Sequence, residues 1–441
     1  MNAPEATGNQ PRSAGMRRDL VLDLTFAQQG RHRLRANGID RVDRRIVGHF
    51  LQHGFTSGVV LGLPQPDIWS LQRARDELGM GFAEQDSATA TPSSAFRALS
   101  GWLQGPGSAP PPSDEPRPRP QHTAKRLRAD WLDRIHIRAR HLDRSLIPEG
   151  AVYFNASQHA LFFSPLTRWF AQRPDVRKVF FVHDLLPLLY PEFWRAGHEA
   201  QFLRVAHCIT DHADTLIAAS TTVVSQYQDF LRRFKKPMPR MEVLPIPSML
   251  ESASDSLPAF ADANYFVFIA TLEPRKNHLM MLQIWQELAS TMADPPKLLL
   301  IGGDGWENQH IKAKLERSAV GADLIRRFHG LSSPELTHVL RGARALLLPS
   351  LAEGYGLPLI EALTLGTPVI ASDIEVFREV SQGAVTLIDP LDGPGWHRSI
   401  LEHCTRSEGS NQGKASNGFA PLTWQNFFLR LEQILAPISP D

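Results

Sequence analysis

The chain has 441 residues, too many for one ordinary hydrophobic core and enough for two domains. Hydrophobic residues make up 42% and charged residues 21%, a globular composition, and a net charge of +1 gives no general preference for nucleic acid. Two cysteines, Cys208 and Cys404, exclude a disulfide framework and a cysteine metal site and fit a reducing compartment. Since no apolar run approaches the ~20 residues of a membrane span, and residues 1–19 lack the apolar core of a signal peptide, we expect a cytoplasmic protein.

In the N-terminal half, residues 1–17 are expected to be disordered, and the first strand and helix follow at 19–25 and 38–52. Residues 59–63 predict a second strand. The segment 84–124 is rich in Pro, Ser, Ala and Gly, and such a composition cannot bury enough apolar area to order itself. We therefore interpret it as a mobile insertion in the N-terminal domain, with a plain linker as the alternative.

Strand and helix patterns alternate through the rest of the chain. Strands are predicted at 151–154, 178–182, 215–218, 242–244, 266–269, 298–301, 325–328 and 345–348, and helices at 279–288, 309–317 and 422–435. This alternation predicts an α/β fold of two doubly wound, Rossmann-like domains that face a central cleft. Their predicted bounds are 18–250 and 262–421, with a linker at 251–261 and a C-terminal segment, 422–441, that packs back on the N-terminal domain.

The segment 346–372, LLLPSLAEGYGLPLIEALTLGTPVIAS, is the most informative part of the chain. It predicts a buried strand, a glycine loop, a short helix and a second strand. Gly354 and Gly356 let the backbone approach a ligand closely, and Pro358 suits the first turn of a helix. A helix N-terminus that follows a glycine loop offers unpaired N–H groups and a partial positive charge, which suit a phosphate.

Two carboxylates, Glu353 and Glu361, flank this predicted phosphate site. Carboxylates accept hydrogen bonds from sugar and ribose hydroxyls, so one loop would hold a phosphate between two hydroxyl-rich rings, as in a nucleotide sugar. The alternative is an ordinary buried loop with two solvated glutamates. The stretch ATLEPRKN at 270–277 adds Arg275 and Lys276 at another predicted strand end, where they form either a phosphate grip or an inert surface pair.

Three further features leave alternatives open. His183-Asp184 ends a predicted strand and is either a hydrogen-bonded structural group or part of the cleft. The stretch IGGDGWEN at 301–308 has Asn308 where a dinucleotide motif has its third glycine, so a strand-to-helix turn is the better interpretation. The loop 36–39 lies in a basic cluster that is by default a solvated face and otherwise a surface for an anionic acceptor or membrane. The cluster comprises Arg31, Arg33, Arg35, Arg41, Arg44 and Arg45.

Several signatures of other chemistries are missing from the sequence. It has no H-E-x-x-H or cysteine–histidine ligand spacing, no D-x-D pair for a metal-bridged diphosphate and no G-x-S-x-G elbow. We therefore expect no metal and no resident cofactor.

In combination, the segments ATLEPRKN, LLLIGGDG, FHGLSSPELTHVLRGARALLLPSLAEGYGLPLIEALTLGTPVIASD, FREV and LIDP resemble the family 4 (group 1) glycosyltransferases, which have the GT-B fold. The resemblance covers residues 262–436 well. The N-terminal half is more loosely similar, through GIDRV, FFVHDLLPLLYPE and ADTLIAAS.

The resemblance implies roles for individual residues. Glu361 would hold the nucleotide ribose, and Glu353 would contact the transferred sugar. Arg275 and Lys276 would bind the donor diphosphate, and His183 would lie near the donor sugar from the acceptor-side domain. The donor would also meet backbone of the first phosphate-facing loop and of the glycine loop, at Gly38, Gly354, Tyr355, Gly356 and Leu357. The first loop lacks the family's usual glycine pair, and Thr271 stands where some relatives have another arginine.

The implied activity is retaining transfer of a hexose, with mannose favoured, from a nucleotide-diphosphate sugar such as GDP-mannose. The acceptor would be a saccharide or a lipid-linked saccharide in surface polysaccharide or glycolipid synthesis, with peripheral contact at an anionic membrane. A sugar-nucleotide epimerase of the same fold and a non-catalytic sugar-nucleotide-binding protein are the alternatives.

Overall fold

The computed structural model describes residues 19–30, 38–63, 65–79, 92–105, 146–250, 260, 263–317, 320–405 and 419–436. The predicted disorder at 1–17 lies outside these ranges. So do most of the predicted insertion and all of the predicted linker except Phe260.

The N-terminal half of the described chain forms a seven-stranded sheet with the order β3-β2-β1-β4-β5-β6-β7. Neighbouring strands are parallel apart from β2 and β3, which are antiparallel. The strands are β1 (Leu20–Asp23), β2 (Ser57–Val60), β3 (Asp67–Trp69), β4 (Val152–Asn155), β5 (Arg177–Val182), β6 (Thr215–Ala218) and β7 (Arg240–Val243). Four of the central strands are apolar and almost fully buried, as expected for a sheet covered on both faces.

The C-terminal half forms a six-stranded parallel sheet with the order β10-β9-β8-β11-β12-β13. Its strands are β8 (Tyr265–Ile269), β9 (Lys297–Ile301), β10 (Ile325–Phe328), β11 (Leu346–Leu348), β12 (Val369–Ser372) and β13 (Thr386–Ile388). The strand order reverses between β1 and β4 in the first sheet and between β8 and β11 in the second. In open α/β sheets such a reversal opens a crevice for ligand at the carboxyl ends of the strands.

Helices cover the faces of both sheets and contribute the other layers of the hydrophobic cores. In the N-terminal half they are α1 (Thr25–Gly30), α2 (Gly38–His53), α3 (Leu71–Leu78), α4 (Ser94–Gln104), α5 (Ser164–Thr167), α6 (Trp169–Gln172), α7 (Leu186–Leu189), α8 (His198–His212) and α9 (Thr221–Arg233). In the C-terminal half they are α10 (His278–Thr291), α11 (Gln309–Arg317), α12 (Gly321–Leu324), α13 (Ser333–Gly342), α14 (Leu357–Thr364), α15 (Glu375–Ser381), α16 (Gly393–Cys404) and α17 (Trp424–Leu435). No helix in the described ranges is both long and apolar enough to cross a lipid bilayer.

The predicted strands and helices are confirmed to within about three residues at each end, the usual uncertainty of element boundaries. Several elements were not predicted, among them β3, β13, α3 and α8. Helix α3 has a polar sequence and buries only Ala74 and Leu78, so its hydrophobic periodicity is weak.

The prediction that residues 84–124 cannot order themselves is wrong for 92–105. Helix α4 lies within that segment, capped at its N-terminus by the Ser93 side chain, and buries Phe96, Leu99 and Trp102. It docks on the C-terminal domain, where the Trp102 indole N–H donates to the Asp323 carbonyl over 3.1 Å. The surrounding Pro-rich composition conceals these apolar residues at helical spacing, and their burial stabilises the helix.

The last helix, α17, packs against the N-terminal domain. His49 of α2 stacks on Phe428 with ring centroids 3.7 Å apart, and its Nε2 lies 2.9 Å from Glu432. At the other end of α17, the Arg177 guanidinium donates to the carbonyls of residues 434, 435 and 436 over 2.8–3.1 Å. A cation at this position satisfies carbonyls that the helix itself cannot pair.

Candidate functional site

The candidate site is built at the reversal of the second sheet, where the chain leaves β8 and β11. After β8, residues 274–276 form a turn of 3₁₀ helix that carries Arg275 and Lys276. After β11, the glycine loop carries Glu353. A backbone hydrogen bond from Leu351 N–H to the Arg275 carbonyl, 2.8 Å long, fixes one loop against the other. Sheet topology therefore brings together residues that lie about eighty positions apart in the sequence.

Glu353 is held by cations and a hydroxyl of its own domain. Arg275 Nη1 donates to Glu353 Oε2 over 2.8 Å, and Lys276 Nζ and Ser350 Oγ both donate to Oε1. On its other side, Arg275 Nε lies 3.1 Å from the Glu273 carboxylate. The side chains of Glu353, Arg275 and Lys276 are 9%, 14% and 13% exposed, so water screens these charges only weakly. We call Glu353, Arg275, Lys276 and Ser350 the Glu353 cluster.

The electrostatics keep this cluster charged. Burial alone would raise the pKa of Glu353, but Lys276, Arg275 and the hydrogen bond from Ser350 outweigh it and lower the pKa to about 2. Burial, with help from Arg275, lowers the pKa of Lys276 from its usual value. Burial raises the pKa of neighbouring Glu273. The arrangement presents two fixed cations beside one firmly ionised carboxylate, and such cations are suited to an anionic phosphate group.

Helix α14 begins directly after this cluster. Its N-cap is Gly356, with φ of +99°, and no side chain caps it, while Pro358 occupies the first turn. A side chain at Gly356 would clash with Phe377, since its Cβ would lie 2.6 Å from the ring. The loop is therefore glycine-bearing for conformational and steric reasons, and the helix N-terminus stays open to a negatively charged group.

The N-terminal domain closes over the glycine loop at His183 and Asp184. A Cβ at Gly354 would lie 2.9 Å from both the His183 carbonyl and the Asp184 Cβ, so the two domains meet backbone to backbone here. His183 Nε2 lies 2.8 Å from the Ala156 carbonyl, and burial lowers the pKa of His183 to about 4. His183 is thus a neutral, hydrogen-bonded group, and its carbonyl lies beside the glycine loop. A role for its side chain in the cleft stays a prediction.

Glu361 lies on α14 and is 1% exposed. Its Oε1 accepts a hydrogen bond of 2.8 Å from Nη1 of Arg41, which belongs to α2 of the other domain. Gly38 begins the same α2, and a Cβ there would lie 3.2 Å from Leu357 Cδ1. The predicted donor-binding residues Gly38, Leu357 and Glu361 therefore lie together across the cleft.

Residues 251–400 match the family model described as glycosyl transferases group 1. This region, about a third of the chain, is similar to that family. The serotype-specific mannosyltransferase WbdA of Escherichia coli is 30% identical over 278 residues, which cover 59% of this chain and 34% of that protein. The O-antigen chain mannosyltransferase B of Escherichia coli is 28% identical over 239 residues, which cover 51% and 61%. The chain therefore spans between about one third and three fifths of these relatives.

Two solved structures support the fold assignment. Sucrose-phosphate synthase from Thermosynechococcus elongatus has a TM-score of 0.50 at 21% identity, over 64% of this chain and 72% of that one. A UDP-forming alpha,alpha-trehalose-phosphate synthase from Burkholderia xenovorans has a TM-score of 0.51 at 12% identity, over 66% and 74%. With its two Rossmann-like sheets, the chain has the GT-B fold, as the sequence predicted.

The structure adds residues to the site that the sequence did not single out. Ser350 donates a hydrogen bond to Glu353, and Glu273 lies beside Arg275. The segment ATLEPRKN contains Glu273 but gives no signal of this contact. The default interpretation of the basic cluster as a solvated face is wrong for Arg41. Its side chain is 17% exposed and forms an ion pair with Glu361. Its position in GIDRV, one turn from Gly38, was the available signal. Arg31, Arg33 and Arg35 lie outside the described residues.

Two other sequence features have structural roles. The stretch IGGDGWEN links β9 to α11, which confirms a strand-to-helix turn. A Cβ at Gly302 would lie 2.0 Å from the Ala270 carbonyl, so this glycine allows close packing of the two loops. Tyr355 is 9% exposed and its hydroxyl donates to the Ile246 carbonyl over 3.0 Å, so its side chain anchors the glycine loop to the domain connection.

Proposed function

We propose that this chain is a retaining glycosyltransferase that moves a hexose from a nucleotide-diphosphate sugar to a saccharide or lipid-linked saccharide acceptor. The favoured sugar is mannose, carried as GDP-mannose, and the product would belong to surface polysaccharide or glycolipid synthesis. The relatives named mannosyltransferases support this choice of sugar. The proposal places the reaction in the cytoplasm, with peripheral contact at an anionic membrane, as the two unpaired cysteines and the basic N-terminal cluster suggest.

The observation that carries the proposal is the Glu353 cluster at the open N-terminus of α14. Transfer of a sugar from a nucleotide diphosphate places negative charge on the departing diphosphate. Arg275, Lys276 and the helix N-terminus would stabilise that charge in a site that water screens weakly. These groups are held in place before the donor arrives, so no reorganisation is needed during the reaction.

The two carboxylates would act at opposite ends of the donor. Glu361 would accept hydrogen bonds from the ribose hydroxyls, and Glu353, ionised at neutral pH, would face the transferred sugar and keep Arg275 and Lys276 in position. His183 would border the sugar from the N-terminal domain. The cations would supply the positive charge that other enzymes take from a metal, so the proposed reaction needs neither metal nor cofactor.

The first experiment is a thermal-shift screen of the purified chain against UDP-, GDP-, ADP- and dTDP-sugars. A donor that binds the folded state raises the melting temperature by mass action. The best donor is then incubated with mannose oligosaccharides, the nucleoside diphosphate released is measured, and the anomeric configuration of the product is read by NMR. Transfer with retained configuration supports the proposal, and transfer with inversion contradicts its stereochemical part.

The same assay separates the two alternatives. An epimerase would interconvert sugar nucleotides without an acceptor, and a binding protein would raise its melting temperature with a donor but give no product. Either result, obtained across a panel of saccharide and lipid-linked acceptors, would contradict the glycosyltransferase proposal.

A further inference from the structure

The ion pair between Arg41 and Glu361 joins residues 320 positions apart, one from each domain. Arg41 lies in the first turn of α2, and Glu361 lies in the second turn of α14. The Glu361 side chain is 2% exposed, and the Arg41 side chain is 17% exposed. A carboxylate buried to this extent is unfavourable unless cations and donors compensate its charge. A cation that stabilises Glu361 therefore comes from the opposite domain.

The pair also lies where the two helix N-termini meet. A Cβ at Gly38, which begins α2, would lie 3.2 Å from Cδ1 of Leu357, which begins α14, so the two helix starts are in close contact. One turn further along each helix, Arg41 reaches Glu361. Separation of the domains would therefore break this ion pair and leave Glu361 without one of its charge partners.

We propose that Arg41 is a positioning residue for the nucleotide half of the donor. Arg41 orients the Glu361 carboxylate from across the cleft, so that nucleotide binding and the approach of the two domains favour each other. This inference rests on the proposed function, in which Glu361 receives the ribose. Such coupling is reciprocal: a nucleotide that binds Glu361 better with Arg41 in place stabilises the contact between the domains.

The test compares the affinities of wild type, Arg41→Ala, Arg41→Lys, Glu361→Gln and the Arg41→Ala/Glu361→Gln double variant for the free nucleoside diphosphate by calorimetric titration. Arg44→Ala is the matched control, because it removes the same charge from the next turn of α2. For each variant, the donor KM, the acceptor KM and kcat are measured with the donor and acceptor found in the screen. Melting temperatures establish that each variant is folded.

We expect Arg41→Ala to weaken nucleotide binding by about tenfold, the scale of one charged hydrogen bond. The donor KM should rise in proportion, while the acceptor KM and kcat at saturating donor stay within about twofold of wild type. The double variant should bind no more weakly than Glu361→Gln alone, because both changes remove one interaction. Arg41→Lys should recover part of the affinity, and Arg44→Ala should bind as wild type does.

Several outcomes would overturn the assignment. Wild-type affinity in Arg41→Ala would do so, and so would losses in the two single variants that multiply in the double variant, or equal losses in Arg41→Ala and Arg44→Ala. If Arg41→Ala does not fold, Arg41→Lys decides. A partial loss of affinity in that variant supports the assignment, and wild-type affinity contradicts it, because an ammonium group does not reproduce the geometry of the guanidinium. Wild type that binds no nucleoside diphosphate would overturn the proposed function together with this inference, whereas the other outcomes leave the proposed function standing.

Discussion

Two carboxylates of one short segment, Glu353 and Glu361, differ in the domain that supplies their described charge partners. In the Glu353 cluster, Glu353 is held by Arg275, Lys276 and Ser350, all from the C-terminal domain. Glu361 is held across the cleft by Arg41 of the N-terminal domain. The first arrangement therefore persists in whatever position the domains take, while the second exists only when they touch. We infer that the leaving-group end of the site is preorganised within one domain, and that nucleotide recognition depends on both.

The strongest test of this comparison is Lys276→Ala. Because Lys276 is a fixed cation of the Glu353 cluster, its loss should reduce kcat/KM for transfer by about two to three orders of magnitude, the scale for removing one group that stabilises developing negative charge. Lys314→Ala is the matched control, since the Lys314 ammonium donates to the exposed Gln283 side chain and Lys314 is not part of the Glu353 cluster. Wild-type kinetics in folded Lys276→Ala would remove Lys276 from the mechanism.

The second test compares the two carboxylates directly by titration with the free nucleoside diphosphate. Glu361→Ala should weaken binding by about ten- to a hundredfold, because a charged hydrogen bond to the ribose is lost. Glu353→Ala should leave it nearly intact, since Glu353 is proposed to face the transferred sugar and not the nucleotide, yet turnover should fall. Equal losses of affinity in the two variants would show that the division of roles is wrong.

The third test concerns His183, whose carbonyl lies beside the glycine loop and whose half-buried side chain is neutral. Burial lowers the pKa of His183 from 6.5 to about 4, so the unfolded chain binds this proton at higher pH than the folded protein. The stability that depends on neutral His183 is complete above about pH 6.5 and is lost as the pH falls towards 4, with ~2 kcal/mol gone by pH 5.

His183→Gln should therefore lose less stability than wild type between pH 7 and 5. The measurement is the urea unfolding midpoint at several pH values, with exposed His310→Gln as the control. Identical pH profiles for wild type and His183→Gln would contradict the burial of a neutral imidazole at this position.

The smallest expected effect is that of a chelator. If Arg275, Lys276 and the N-terminus of α14 supply the positive charge, transfer in excess EDTA should stay within about twofold of the untreated rate. The sequence reason is the lack of a D-x-D pair. Loss of activity that Mn²⁺ or Mg²⁺ restores would show that the cluster alone is not sufficient, and would weaken the contrast between the two carboxylates.

Much of the fold and of the Glu353 cluster could be predicted because the signals are local. The strand at 215–218, for example, is a short, mostly apolar run, and it appears at that position in the structure. Arg275 and Lys276 follow one predicted strand and Glu353 follows another. Since parallel strands end at the same edge of a sheet, the alternation alone predicted that these residues share an edge.

Helix α4 shows where local signals were insufficient. Composition is averaged over a window, so the prolines on either side concealed an eleven-residue helix whose stability depends on a surface of the other domain. Hydrophobic periodicity reports that a helix face is buried and does not report what covers it. For the same reason, α17 was predicted as a helix in a segment that packs back on the N-terminal domain, while its contacts with His49 and Arg177 became visible only in the structure.

The sequence by itself determined two Rossmann-like domains, the strand ends that carry the charged residues, and the glycine loop before α14, because each depends on residues within one short segment. Only the tertiary structure decided that Arg275 and Lys276 hold Glu353, that Tyr355 anchors its loop to Ile246, and that Arg41 reaches Glu361. The last of these contacts depends on how helices α2 and α14, from two separately wound domains, meet. No periodicity along the chain encodes that packing, because the two partners are 320 residues apart and lie on helices of different domains.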